Sequence, residues 1–265
     1  MTDIILKAEH LKKVFVSGKK SMTAVDDVSF ELNRGECLGI VGESGSGTSP
    51  IAKMITHLES VTEGQVFLKG KDITHVKGKA LREIYQEIQM VFQMPMESFD
   101  PRCTLGDGIG ESLRNMGINR SETGSRVEKL LERCGLDREF ADRYPHQVSG
   151  GQCQRAAIAR ALAVNPEILI CDEATSALDV TVQKQILELL IELKQKELLS
   201  FLLIHFVLHP GFVFSLDSVL RSGFVFLFHF APYFDFDLYS RFLLVFLLDL
   251  KLHSDFQFYS QLLLQ

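Results

Sequence analysis

Two short runs, Val148-Ser-Gly-Gly-Gln152 and Ile168-Leu-Ile-Cys-Asp172-Glu173, organise everything else in this sequence. The first has few side chains and several backbone N–H groups, which suits it to gripping phosphate oxygens. A helical pattern, Gln154-Arg-Ala-Ala-Ile-Ala-Arg-Ala-Leu-Ala163, follows it. The second is a short apolar strand that delivers two adjacent carboxylates to its C-terminal end, where ligands bind in open α/β sheets. One acid can hold a Mg²⁺ shell and the next can orient or deprotonate a water. Either run alone has an ordinary explanation, a turn or a solvated strand end; in this order and at this spacing they point to nucleotide phosphate chemistry.

Working outward, Gly42-Glu43-Ser44-Gly45-Ser46-Gly47-Thr48-Ser49 lies between the strand pattern Glu36–Val41 and a helical pattern over 51–58. That is the setting of a phosphate-binding loop, in which glycines turn N–H groups inward and a helix N-terminus adds its dipole. The usual form is G-x-x-x-x-G-K-[ST]. Here Thr48 stands in the lysine position and Pro50 follows the hydroxyl residue. Thr48 offers a hydroxyl but no charge for the terminal phosphates. Pro50 is sterically acceptable in a first helical turn but removes an N–H there.

Gln93 ends the apolar run Ile88–Phe92, where a neutral amide can reach a Mg²⁺ shell or an attacking water. Ser176-Ala-Leu-Asp179 follows the two acids and could carry a turn contacting a second subunit. Phe15 could stack on an adenine. His205 follows the apolar run Phe201–Ile204 and is placed to sense a terminal phosphate; with His209 it has i,i+4 spacing but no third metal ligand.

The 265 residues suffice for a full core, and 46% hydrophobic with 23% charged residues is globular composition. A net charge of −6 leaves no basic footprint, so no nucleic-acid partner is expected. The cysteines at 37, 103, 134, 153 and 171 are scattered and odd in number, which reads as reduced thiols. The N-terminal residues lack a signal-peptide pattern, and no segment reaches the roughly 18 apolar residues of a membrane span.

Strands are expected at 4–15, 25–41 (in two parts), 65–68, 88–92, 168–170 and 201–204, and helices at 79–87, in pieces over 104–144, and at 181–196. The composition changes abruptly near residue 204. From His205 onward come 13 of the 20 Phe, one Lys and one Ala, but no Glu, Thr, Ile, Met, Cys or Asn.

These residues resemble the ATP-binding subunits of ABC transporters over roughly 4–204. In that resemblance, 42–49 is the Walker A loop, Gln93 the Q-loop, Val148–Gln152 the signature, Asp172 the Walker B acid, Glu173 the catalytic base and Asp179 the D-loop acid. Ala24-Val-Asp-Asp-Val-Ser-Phe30, Gln89–Gln93 and Ser98-Phe-Asp-Pro-Arg102 look like the oligopeptide/dipeptide/nickel importer branch.

The resemblance implies an α/β fold with a P-loop NTPase core, an N-terminal antiparallel β layer and a helical subdomain inserted near 95–158. It implies ATP and Mg²⁺ as cofactors, with the phosphates cradled by Gly42–Pro50 and by Ser149, Gly150, Gly151 and Gln152 of a second ATP-binding subunit. Ser49, Gln93 and Asp172 would hold Mg²⁺, while Glu173 and His205 would serve catalysis. Transmembrane permease subunits would dock through the insertion, at the cytoplasmic face of the cell membrane.

The tail departs from that pattern. The family continues past the strand with one further residue and then His-Asp, whereas Ile204 here runs directly into His205-Phe206. A reading-frame change near codon 204 accounts for both the abrupt composition change and the lost His-Asp, and sets 1–204 apart as the ATP-binding domain from a Phe/Leu-rich tail at 205–265. A membrane-surface or partner-binding extension is the rival reading of the tail. For the chain as a whole, the alternative is a catalytically impaired subunit or degraded gene product that donates only its signature. A soluble cassette acting in translation or DNA repair is disfavoured, because neither twin cassettes nor a long coiled-coil insertion is present.

Overall fold

A computed structural model describes residues 3–18, 20–41, 48–173, 178–197, 199–204 and 224–228. Two sheets are stacked with helices around them. The first is antiparallel, ordered β2-β1-β4-β5, and is built from β1 (Ile4–Ser17), β2 (Lys20–Asn33), β4 (Glu63–Leu68) and β5 (Lys71–Asp72). The second is parallel throughout, ordered β6-β7-β8-β3-β9, and contains β3 (Cys37–Val41), β6 (Ile88–Val91), β7 (Ile168–Asp172), β8 (Ser200–Ile204) and β9 (Phe224–Phe228).

The central parallel strands β3, β7 and β8 read as nearly continuous apolar runs because both of their faces are covered. Alternation divides them between two cores. Leu169, Cys171, Phe201 and Leu203 join one core with the helices α3 (Leu105–Asn115), α4 (Arg120–Arg133), α5 (Gly150–Leu162) and α6 (Val180–Glu197). Ile168, Ile170 and Leu202 face the other way, towards the antiparallel sheet, α1 (Thr48–Ile55) and α2 (Lys79–Glu87).

The insertion between β6 and β7 holds three helices and three short 3₁₀ turns, at Pro95–Ser98, Arg138–Asp142 and Pro145–Gln147. Local chemistry sets its boundaries. The Thr104 side chain caps α3 by accepting from Asp107 N, and the Asn119 side chain caps α4 by accepting from Glu122 N. Gly117 and Gly135, both at positive φ, follow their C-terminal ends.

Several expected boundaries move. The first helix starts at Thr48 rather than 51, because Pro50 falls within its first turn, where no N–H is required. It ends at Ile55 rather than 58, and His57 then sits in the left-handed region at φ 57°. The second strand begins at Lys20 rather than 25, because the β1–β2 hairpin pairs Ser17 with Lys20 and carries the exposed residues between Lys20 and Thr23 along with it. Beyond the composition change, Phe224–Phe228 forms the fifth parallel strand, pairing with β3 from Cys37↔Phe224 to Val41↔Phe228.

Candidate nucleotide site

Gly42, Glu43, Ser44, Gly45, Ser46, Gly47 and His205 lie outside the described residues, as do 174–177. What flanks them is ordered by the sheet. β3 runs into the loop, and α1 leaves it with Thr48, Ser49 and Pro50 as its first three residues. Thr48 is buried and Ser49 half-buried. Ser49 Oγ donates to Asp172 Oδ1 at 2.9 Å, joining positions 123 residues apart.

Asp172 ends β7 and is only 6% exposed. Behind it, burial and then the neighbouring Asp172 charge push the Cys171 thiol up to about 12, so it stays protonated. The next residue, Glu173, has φ 48°, a left-handed conformation that a non-glycine residue adopts only where its surroundings hold it. Gln93, just past β6, donates Nε2 to Glu173 Oε2. Thus the ends of β6 and β7 and the start of α1 bring Gln93, Glu173, Asp172 and Ser49 together.

A hydroxyl, a primary amide and a carboxylate are hard oxygen donors of the kind Mg²⁺ takes. A hydroxyl already turned onto the Asp172 carboxylate fits that ion. Among the described residues no group of three or more His, Cys, Asp or Glu could hold a metal ion.

Ser149 and Gln152 form a reciprocal cap on α5. Ser149 Oγ accepts from Gln152 N at 3.3 Å and Gln152 Oε1 accepts from Ser149 N at 2.9 Å. The glycines between them also permit packing. A Cβ on Gly151 would lie 2.5 Å from Val182 Cγ1 of α6, and one on Gly150 would lie 3.4 Å from Leu178 Cδ2. The motif therefore has an intramolecular reason for its small residues, whatever it binds. Asp179, read in the resemblance as a contact acid, accepts from Val182 N at 3.0 Å and caps α6.

Phe15, near the distal end of β1, is half-buried. The sequence reading missed its neighbour Lys13, whose Nζ lies 5.0 Å from the Phe15 ring centroid. The available signal was a lysine two positions from the aromatic, on the same face of a strand whose inward residues are otherwise apolar. It also missed Arg160 of α5, which donates to the carbonyl of Ser98 and, at 2.9 Å, to its Oγ, and lies 4.4 Å from the Phe99 ring. That guanidinium fastens the segment after Gln93 to the helix that carries the glycine motif.

The ABC transporter family model matches residues 25–176. The oligopeptide transport ATP-binding protein OppF of Bacillus subtilis is 45% identical over 207 residues, which is 77% of this chain and 68% of that protein. AppF of the same organism, also an oligopeptide transport ATP-binding protein, is 50% identical over 184 residues, covering 68% of this chain but only 56% of its own length. The dimeric ATP-binding cassette MJ0796, in a post-hydrolysis state bound to ADP and Pi, superposes with TM-score 0.72 at 30% identity, covering 84% of this chain and 94% of that one. Family model, curated relatives and architecture agree, and the chain belongs to the ABC transporter family of ATP-binding cassettes.

Proposed function

We propose that this chain is the ATP-binding subunit of an importer of peptides, or of nickel-type solutes carried by the same branch. It couples the binding and hydrolysis of MgATP to uptake. The observation that carries the reading is the Ser49–Asp172 hydrogen bond, which closes the start of α1 onto the end of β7 at the point where a loop of phosphate-binding composition enters.

In this reading Gly42–Gly47 and the first turn of α1 cradle the phosphates. Ser49, Gln93 and Asp172 complete a Mg²⁺ shell, which when bound offsets charge on the terminal phosphates. Glu173 orients the attacking water, and its contact with Gln93 holds the carboxylate until that water arrives. His205 meets the terminal phosphate. Ser149–Gln152 acts on the nucleotide of a second ATP-binding subunit, identical or different. Permease subunits dock beside Gln93 and the helical insertion, at the cytoplasmic face of the cell membrane. Among the described residues no helix is long and apolar enough to cross a membrane.

A second reading rests on Thr48 and Pro50. A buried hydroxyl replaces an ammonium, and loss of one donor that stabilises developing charge costs roughly 10²–10³ in turnover. In that version the chain's own site is silent and its signature completes a partner's. Titration of the purified chain with MgATP, beside a Thr48→Lys/Pro50→Thr form, separates the two. Binding only after the double substitution identifies a signature donor; binding by both, with hydrolysis abolished by Glu173→Gln, supports an active subunit. Absence of binding in both forms sinks the nucleotide reading.

For residues 205–265 we infer a change of reading frame near codon 204, supported by the simultaneous loss of six residue types. Translating the gene in its other two frames tests this: a His-Asp ending to the β8 strand in one of them is expected, and its absence from both overturns the idea.

A further inference from the structure

Lys13 is 5% exposed, on a strand face otherwise given to apolar side chains. A buried cation is costly unless it is held, and this one is held closely. Its Nζ donates to Ser60 O at 2.7 Å and lies 3.3 Å from Ser60 Oγ, and it pairs with Glu59 Oε2 at 3.2 Å. The same ammonium lies 5.0 Å from the centre of the Phe15 ring, inside the range of a cation–π contact.

The segment that grips Lys13 is laced to the strand on both sides. Val14 N donates to Thr62 Oγ1 at 3.1 Å, and Thr62 N donates to Lys12 O at 3.0 Å. Glu59 N donates back to Lys53 O, within the helix that begins at Thr48. A continuous set of bonds therefore runs from the last turn of α1, the helix that leaves the glycine-rich loop, to the aromatic ring of β1.

We propose that Lys13 is a positioning residue for the nucleobase, holding Phe15 as a one-faced aromatic platform at a fixed distance from the phosphate-binding turn. This rests on the reading of Phe15 as a base contact. The cation covers one face of the ring, leaving the other for a purine. It also draws π-electron density towards itself, so the open face is poorer in electrons and better matched to an electron-rich base. Removal of a purely structural lysine would instead weaken every ligand alike.

The test compares MgATP with magnesium tripolyphosphate, which has the phosphates but no base, by calorimetry on the full chain and on its Thr48→Lys/Pro50→Thr form. Lys13→Met keeps the stem and removes the charge. Expected is about a tenfold loss of ATP affinity, the scale of a base–aromatic contact, with tripolyphosphate unchanged. Adding Lys13→Met to Phe15→Ala should then change nothing further. Glu59→Gln, on a half-exposed side chain, is the milder version if Lys13→Met does not fold, and should give a smaller loss confined to ATP. Equal loss for both ligands, no loss, or additivity with Phe15→Ala overturns the inference and leaves the nucleotide reading standing. Tripolyphosphate binding without any gain from the base overturns the platform itself. Failure of both ligands to bind either form removes the nucleotide reading, and this inference with it.

Discussion

Gly151→Ala sets two effects of opposite sign against each other. Replacing a helical glycine by alanine ordinarily stabilises by up to about 1 kcal/mol, and by less in a first turn, where Gly151 sits. The new Cβ, however, would lie 2.5 Å from Val182 Cγ1, about 1 Å short of the roughly 3.5 Å at which two carbons rest. Val182 cannot swing aside cheaply, because a β-branched side chain in a helix has essentially one χ1 well. Overpacking of this kind costs about 1–3 kcal/mol. The expected net is therefore a destabilisation of about 1–2 kcal/mol, or a melting temperature lower by roughly 2–8 °C for a chain of this size. Thermal melts of Gly151→Ala, Val182→Ala and the double variant supply the assay. Removing the valine methyls should relieve the clash, giving a coupling energy of about 1 kcal/mol or more. An alanine variant as stable as the parent, or melting curves that simply add, would refute the packing argument and leave ligand approach as the sole reason for the second glycine.

Three further outcomes are expected. Ser149→Ala removes the α5 cap and should cost about 1 kcal/mol in thermal melts even without nucleotide; an unchanged melt would show the cap to be idle. Burial pushes the Glu167 carboxyl up, but its bonds to Lys69 and Arg34 prevail and hold it below its ordinary 4.5. Its contribution is thus present above that value and fades as pH falls through the lowered one. Glu167→Gln should cost about 0.5–1 kcal/mol near neutrality, allowing for its partial exposure, with a difference that closes as pH falls below the ordinary 4.5; a pH-independent difference would contradict this. Brief treatment with a thiol reagent should modify Cys103 alone, because it is exposed whereas burial raises Cys37 and pushes Cys134 to about 12, Cys153 to about 11 and Cys171 to about 12. Mass spectrometry reads the modified site, and comparable labelling at Cys153 would show that α5 opens readily.

The parallel strands were legible because burial on both faces leaves a run such as Ile168–Cys171 with no polar interruption. The insertion was legible through its capping residues and terminal glycines. The first residues of β2 were not, since Lys20–Thr23 are exposed and are strand only because β1 pairs with them. Phe224–Phe228 did not stand out either, because its apolar content matches that of the whole Phe/Leu-rich segment. Ser49, Gln93, Asp172 and Glu173, which the fold brings together, each stood out by motif and position. Lys13 and Arg160 act through burial, ring contacts and distant carbonyls, which one-dimensional spacing does not record.

The position of β3 bears on how the molecule comes into being during synthesis. Its neighbours in the sheet are β8 and β9, so Cys37 must find Phe201 on one side and Phe224 on the other. At about 5–20 residues per second, the ribosome supplies those partners on the order of ten seconds or more after β3 emerges. The antiparallel β1–β2–β4 layer can pair long before then, while both hydrogen-bonding edges of β3 wait. For that interval the strand that runs into the glycine-rich loop is a nascent edge exposed to any other extended chain, and the outer of those edges is closed by a segment from the Phe/Leu-rich stretch beyond residue 204.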